Sequence, residues 1–269
     1  MTPAGTNELE HFLLRLSVDA GDYLRSHFHS FRNIYKKDFK DLASNVDLNV
    51  ERLIINRIRA HFPDHGIVSE EAGAINAASA YQWIIDPIDG SSHFVRNIPI
   101  YAINIALAHH GETIVAAVNH PTTQQIFFAA KGRGASLNGL PIQVSNTNDL
   151  SDAYVFVELP EQKFADQPSI ETDFTARMRI FENLVRRSAQ IEMYRIGAFG
   201  QCLLAAGAFD AYVDLSGSTR HWDQVGSLFI AQEAGASIID LEPPTDTTMR
   251  VMVTNGKLTK SLNELMANA

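Results

Sequence analysis

The sequence predicts a mixed fold, α+β in its first half and α/β in its second, on three observations. Two amphipathic helical patterns precede an unbroken series of strand patterns; beyond about residue 146 helices and strands alternate; and no flexible linker separates the two stretches. The halves, 1–145 and 146–269, are therefore expected to pack against each other.

The first helix is expected from Asn7 to about Phe28, where Leu9, Phe12, Leu13, Leu16, Ala20, Tyr23 and Leu24 recur at helical spacing. A second runs from about Ser44 to Phe62, with Val46, Val50, Leu53, Ile54 and Ile58 on one face. Strands follow at GIVS (66–69), WIID (83–86), YAINIALAHH (101–110), IVAAVNH (114–120) and QIFFAA (125–130), and the Gly and Asn punctuation of 132–145 marks a hairpin. In the second half AYVFVEL (153–159) is a strand and 172–189 an amphipathic helix. A short strand near IEMYR leads to a small-residue helix at 198–209 and the strand DAYVDL (210–215). WDQVGSLFIAQEAG (222–235) is a helix ending at glycine, and SIID and RVMVTN are strands before a terminal helix.

Composition narrows the function. The 269 residues are 45% hydrophobic, enough to bury a large core. A net charge of −9 repels polyanions from the average surface, and no run of Lys or Arg exceeds two residues, so direct nucleic-acid binding is not expected. The one cysteine, Cys202, excludes an internal disulfide and reads as a small core residue. MTPAGTNELEHF has no basic flank ahead of a long apolar run, and no stretch reaches the ~18 apolar residues of a membrane helix, so a cytoplasmic location without membrane contact is expected.

The stretch WIIDPIDGSSHF (83–94) carries the first chemical signal. Pro87 extends Asp86 and favours a turn over 86–89, which would bring Asp86 and Asp89 to one side and turn a peptide carbonyl outward. Gly90 permits a sharp exit, and Ser91 or Ser92 can cap a short helix. That pattern describes either a capped turn with solvated acids or a site for a hard cation such as Mg²⁺ or Ca²⁺. Three further places raise the same alternative. Glu70 and Glu71 follow a strand, Asp223 lies in a first helical turn, and Asp47 stands three residues after Ser44 as in a capping box. Singly, each acid is explained by capping or solvation. Gathered at strand and helix ends they would repel one another unless a cation intervened, and without Cys-x-x-Cys or His-x-x-x-His spacing Mg²⁺ or Mn²⁺ is preferred to zinc.

These segments resemble the inositol monophosphatase family of Mg²⁺-dependent, lithium-sensitive phosphatases. The similarity is carried by DPIDGSSHFVRNIP (86–99), WDQVGSLFIAQEAGA (222–236), SEEAG (69–73) and DLASNVDLNVE (41–51), in the family's order and across nearly the whole chain, about 7–265. The resemblance implies an αβαβα layered sandwich like that of inositol monophosphatase and fructose-1,6-bisphosphatase, a homodimer, and two or three Mg²⁺ ions. It implies that Glu70, Asp86 and the Ile88 carbonyl hold one ion, that Asp86, Asp89 and Asp223 hold a second, and that Glu70 reaches a third with Asp47 helping through water. Ser91 stands for the family's water-activating threonine, paired with Asp47, while Gly90 and Ser91 offer N–H groups to phosphate. Asp214 and the Gly197-Ala198 segment fall where the family contacts the alcohol part of its substrate.

The implied reaction is hydrolysis of inositol monophosphate or a related polyol or sugar phosphate. Fructose 1,6-bisphosphate, histidinol phosphate and 3′-phosphoadenosine 5′-phosphate are alternatives within the family, and a binding role in the transcription apparatus is an alternative outside it. Ser69 replaces the usual glycine before the acidic pair, Ser91-Ser92-His93 stands for Thr-x-Asn, and Val225-Gly226 for two alanines. Asp214 is shorter than the glutamate of inositol-specific members and Phe199 is bulkier than expected, which bears on substrate choice.

Overall fold

The computed structural model describes residues 3–30, 34–36, 42–160, 171–217, 219–245 and 248–267. Helices α1 (Pro3–His27) and α2 (Asn45–His61) flank a small antiparallel ribbon of β1 (Ile34–Lys36) and β2 (Leu42–Ser44). Strands β3 (Gly66–Ser69), β4 (Gly73–Ile75), β5 (Tyr81–Asp89), β6 (Ala102–His109), β7 (Glu112–His120), β8 (Gln125–Ala130), β9 (Ala135–Leu137) and β10 (Leu140–Ile142) form an eight-stranded sheet, with the one-turn helix α3 (Ser91–Val95) between β5 and β6. The second half holds β11 (Tyr154–Glu158), α4 (Glu171–Arg187), β12 (Gln190–Glu192), α5 (Gly197–Ala205), β13 (Ala211–Asp214), α6 (His221–Glu233), β14 (Ser237–Asp240), β15 (Val251–Thr254) and α7 (Thr259–Ala267). Its sheet runs β12-β11-β13-β15-β14, with β11 parallel to both neighbours.

Alternation along the strands explains the layering. Trp83, Ile85, Ile103, Ile105 and Leu107 point to one face of the large sheet and pack with Leu13, Leu16, Val50 and Ile54 of α1 and α2. The intervening Ile84, Ala102, Ala106 and Ala108 point to the other face, where α5 and α6 are sandwiched against Phe156, Tyr212 and Val253 of the small sheet. Beyond it, Val155, Val213 and Met252 pack with Ile180, Leu184 and Leu262 of α4 and α7. The order is helices, sheet, helices, sheet, helices: the αβαβα sandwich. Among the described residues no helix is long and apolar enough to cross a membrane.

Three local expectations need correction. Residues 86–89 do not leave the sheet as a turn; β5 continues to Asp89, pairing Asp86 with Asn104 and Asp89 with Ala102, and absorbs the proline in a bulge between them. Neither Ser91 nor Ser92 caps α3, because Gly90 is the capping residue and offers no side chain. The small-residue helix ends at Ala205 rather than at 209, since Gly207 turns left-handed at φ 75°.

The middle layer depends on one close approach. Asn104 on β6 donates from Nδ2 to the carbonyls of Trp222 (3.1 Å) and Asp223 (2.9 Å), gripping the first turn of α6. A Cβ on Gly226 would lie 2.1 Å from Oδ1 of Asn104, so only glycine lets the helix sit this close. Gly226→Ala is expected to destabilise the protein by about 1–3 kcal/mol through overpacking. Urea unfolding measures it, and an unchanged midpoint would show that Asn104 can swing aside at no cost.

Candidate active site

The acids singled out in the sequence lie where elements end against the middle layer. Glu70 follows β3, its N–H donating to the Ile85 carbonyl at 3.2 Å, which ties it beside β5. Asp86 and Asp89 occupy the two sides of the β5 bulge. Asp86 Oδ1 accepts the Ile88 N–H at 3.0 Å, and Ser91 Oγ donates to the Ile88 carbonyl at 2.8 Å, so the bulge and the start of α3 are held by their own polar groups. Gly90 is required on two grounds. Its φ is 88°, and a Cβ would meet Ile196 Cγ2 at 2.6 Å.

Asp89 also closes the joint between the halves. Helix α5 has no side-chain cap of its own. Oδ2 of Asp89 accepts the Ala198 N–H at 3.0 Å, and the Phe199 N–H also points to this carboxylate. The carboxylate therefore caps α5 from another sheet, where a negative charge meets the positive end of the helix dipole. Asp223 performs the same task within its own helix, its Oδ2 accepting the Arg220 N–H at 2.8 Å.

Glu70, Asp86, Asp89 and Asp223 converge. Burial, followed by the charges of Glu70, Asp223 and Asp89, lifts Asp86 well above the ordinary carboxylate range, and its side chain shares a hydrogen bond with Glu70. Asp89 is pushed up to about 7, chiefly by burial and by Glu70, against the pull of the Ala198 N–H. Burial also raises Asp223 well above its usual value; the Arg220 backbone and charge oppose this without overcoming it. Carboxylates confined in this way disfavour one another's charge, and a cation placed among them would favour it.

The donor set fits a hard divalent cation. It consists of carboxylate oxygens and a peptide carbonyl, with neither thiolate nor imidazole among the converging groups. The fit lies in the kind of donor: among the described residues no three His, Cys, Asp or Glu side chains are placed to hold an ion as they stand, and Mg²⁺, which keeps several waters, asks for few protein ligands.

Asp47 and Ser91 are not joined by a hydrogen bond among the described residues. Asp47 Oδ2 accepts from Ser44 N (2.9 Å) and Ser44 Oγ (2.8 Å), completing the capping box of α2, while its buried Oδ1 has no hydrogen-bond partner. Asp214 is engaged by its own loop. It is fully buried, and both its oxygens are taken: Oδ1 by Ser216 N (2.7 Å) and Ser216 Oγ (2.6 Å), Oδ2 by Thr219 Oγ1 (2.6 Å). It anchors the loop that leads to α6, with both lone-pair directions of Oδ1 and one of Oδ2 taken. Phe199 is likewise committed, stacked on His120 with ring centroids 3.9 Å apart.

Sequence reasoning gave no role to Glu51, the last residue of DLASNVDLNVE, and missed Asn104. Oε1 of Glu51, one helical turn beyond Asp47, accepts from Ser69 Oγ, Glu71 N (3.0 Å) and Ala72 N (3.1 Å), and so holds the turn that carries Glu70. This explains the serine found at 69: its hydroxyl adds a donor to the clamp. The i, i+4 spacing of two acids on an otherwise apolar helix face was the available signal. For Asn104 the signal was a lone amide inside an apolar strand.

The inositol monophosphatase family model matches residues 6–269. A protein of Vibrio cholerae named Nus factor SuhB is 32% identical over 236 residues, 87% of this chain and 85% of its own. An Aquifex aeolicus protein named fructose-1,6-bisphosphatase/inositol-1-monophosphatase is 32% identical over 221 residues, 81% of this chain and 80% of its own. The solved structure of an IMPase from Thermotoga maritima superimposes with a TM-score of 0.82 at 27% identity, over 96% of both chains. With its layered fold, its two acidic signatures and these relatives, the chain belongs to the inositol monophosphatase family.

Proposed function

We propose that the protein is a Mg²⁺-dependent phosphomonoesterase acting on inositol monophosphate or related polyol and sugar phosphates. The observation that carries this reading is the convergence of Glu70, Asp86, Asp89 and Asp223, four acids from separate parts of the chain whose charges act on one another. In this reading Glu70, Asp86 and the Ile88 carbonyl would hold one ion and Asp86, Asp89 and Asp223 a second, with Glu70 shared by a third and Mn²⁺ able to substitute. When bound, the cations supply a water of lowered pKa and offset the negative charge of phosphate and leaving oxygen.

The chain's own groups then have distinct tasks. Ser91 Oγ spends its proton on the Ile88 carbonyl and so turns lone pairs outward, to accept a hydrogen bond from the attacking water. Glu70 takes the water's second proton, and Glu51 keeps it in position through the 69–72 turn. Asp47, whose buried Oδ1 has no hydrogen-bond partner, is the reserve acceptor for this water network. Backbone N–H groups of Gly90 and Ser91 receive phosphate, and Ala198 N–H fixes the Asp89 carboxylate beside it. A homodimer in the cytoplasm completes the reading.

The name of the Vibrio relative favours a second reading, a role as a binding partner of the transcription machinery. Phosphate release from inositol 1-phosphate, fructose 1,6-bisphosphate, histidinol phosphate, 3′-phosphoadenosine 5′-phosphate and 4-nitrophenyl phosphate, with Mg²⁺ and with EDTA, tests the first. Turnover of at least one ester with Mg²⁺, lost in EDTA, is expected; no turnover of any with either Mg²⁺ or Mn²⁺ overturns it.

A further inference from the structure

Glu158 ends β11 in direct register with Asp214 on the parallel strand β13, so the two carboxylates stand side by side on one face. Asp214 accepts from Ser216 and Thr219, whereas Oε1 of Glu158 is buried with no hydrogen-bond partner in a residue only 6% exposed. Burying an unmet carboxylate costs stability, so such a group calls for an explanation.

Its surroundings point to the substrate. A Cβ built on Gly197 would lie 3.7 Å from Glu158 Oε1, which puts the carboxylate against the first residue of α5, next to the Ala198 N–H that holds Asp89. Glycine at 197 keeps a side chain from packing on that oxygen, and the buried Tyr212 hydroxyl lies close to the same point, 3.0 Å from where a Gly197 Cβ would stand. We infer that Glu158 reads the alcohol portion of the substrate, its carboxyl receiving a hydroxyl of a phosphorylated polyol bound at the acid ring. This rests on the phosphatase reading above. It transfers to Glu158 the task that the sequence suggested for Asp214. Burial and the charges of Asp214 and Asp89 push the Glu158 carboxyl up, against the pull of Arg195.

The test compares Glu158→Met and Glu158→Gln with the unmodified protein, on inositol 1-phosphate and on 4-nitrophenyl phosphate, whose leaving group has no hydroxyl to offer. Met keeps the length and removes the unmet polar atoms. Its Tm is expected to equal or exceed that of the unmodified protein, while kcat/KM for inositol 1-phosphate falls at least about tenfold, mostly through KM, and that for 4-nitrophenyl phosphate stays within about twofold. Gln, able to accept and donate, is expected to retain most of the preference. Equal losses on both substrates, no loss on either, or a Met variant that melts lower or fails to fold would each overturn the assignment by giving Glu158 a structural or general electrostatic role. If the unmodified protein hydrolyses neither ester, the phosphatase reading itself fails, and this one with it.

Discussion

Asp223→Asn is expected to lower turnover by a factor on the order of 10² or more with the fold intact, because the loss of a preorganised charge at a reacting centre has that magnitude. The geometry separates the two consequences. Asparagine keeps an oxygen to accept the Arg220 N–H that Asp223 now receives at 2.8 Å, so the start of α6 survives. Asn104 grips that turn through backbone carbonyls, which the substitution does not touch. What disappears is one negative charge from a buried, mutually repelling set, and its removal is neutral or stabilising without metal. The measurement pairs steady-state kinetics in Mg²⁺ with thermal unfolding in EDTA. A variant with near-normal turnover would mean that Asp223 is a capping residue alone. A variant that loses turnover and melts many degrees lower would mean that its role is structural.

The same variant separates the enzymatic from the binding reading. Association with a transcription complex needs a surface, and Asp223 is not part of an exposed patch. Loss of turnover with retained association would assign the two activities to different parts of one fold.

Much of this site was legible in the sequence, because Asp86, Asp89, Glu70 and Asp223 each sit directly beside the feature that positions them. A strand end or a helix start can be read from local pattern, and Pro87 and Gly90 mark the bulge and the left-handed exit. Asp214 shows where that legibility stops. Its strand was readable, but the direction of its carboxylate is decided by Ser216 and Thr219, whose hydroxyls reach back from a loop with no periodic pattern. Glu158 was passed over for the complementary reason: at the end of AYVFVEL it looks like the solvated terminus of a strand, and only the packing of α5 across it makes it a buried acid. Tertiary contacts between the halves, such as Asp89 capping α5, join residues 109 positions apart that no local window relates.

Protonation of the acid ring makes the largest condition-dependent prediction. Asp89 has its pKa raised to about 7 from the ordinary 3.8, and Asp86 and Asp223 move in the same direction. A group whose pKa is raised in the folded state binds its proton more tightly there than in the unfolded chain. Its stabilising contribution is therefore full below about pH 3.8 and, for Asp89, lost as pH rises towards 7, with Asp86 and Asp223 acting in the same sense. Buried histidines oppose this: burial lowers His120 to about 4, and such groups contribute more stability as pH rises towards 6.5. The informative quantity is thus the difference between Tm in Mg²⁺ and Tm in EDTA, in which the histidines cancel. Cation binding needs ionised acids, so this difference is expected to widen from pH 5.5 to 8 as competing protons leave. Each acid contributes up to about 1.4 kcal/mol per pH unit within its range, and a chain of this size shifts by roughly 2–4 °C per kcal/mol, so a widening on the order of 5 °C is expected. A difference that stays constant across that range would mean that the four acids neither repel one another in the metal-free fold nor share a cation when it is supplied.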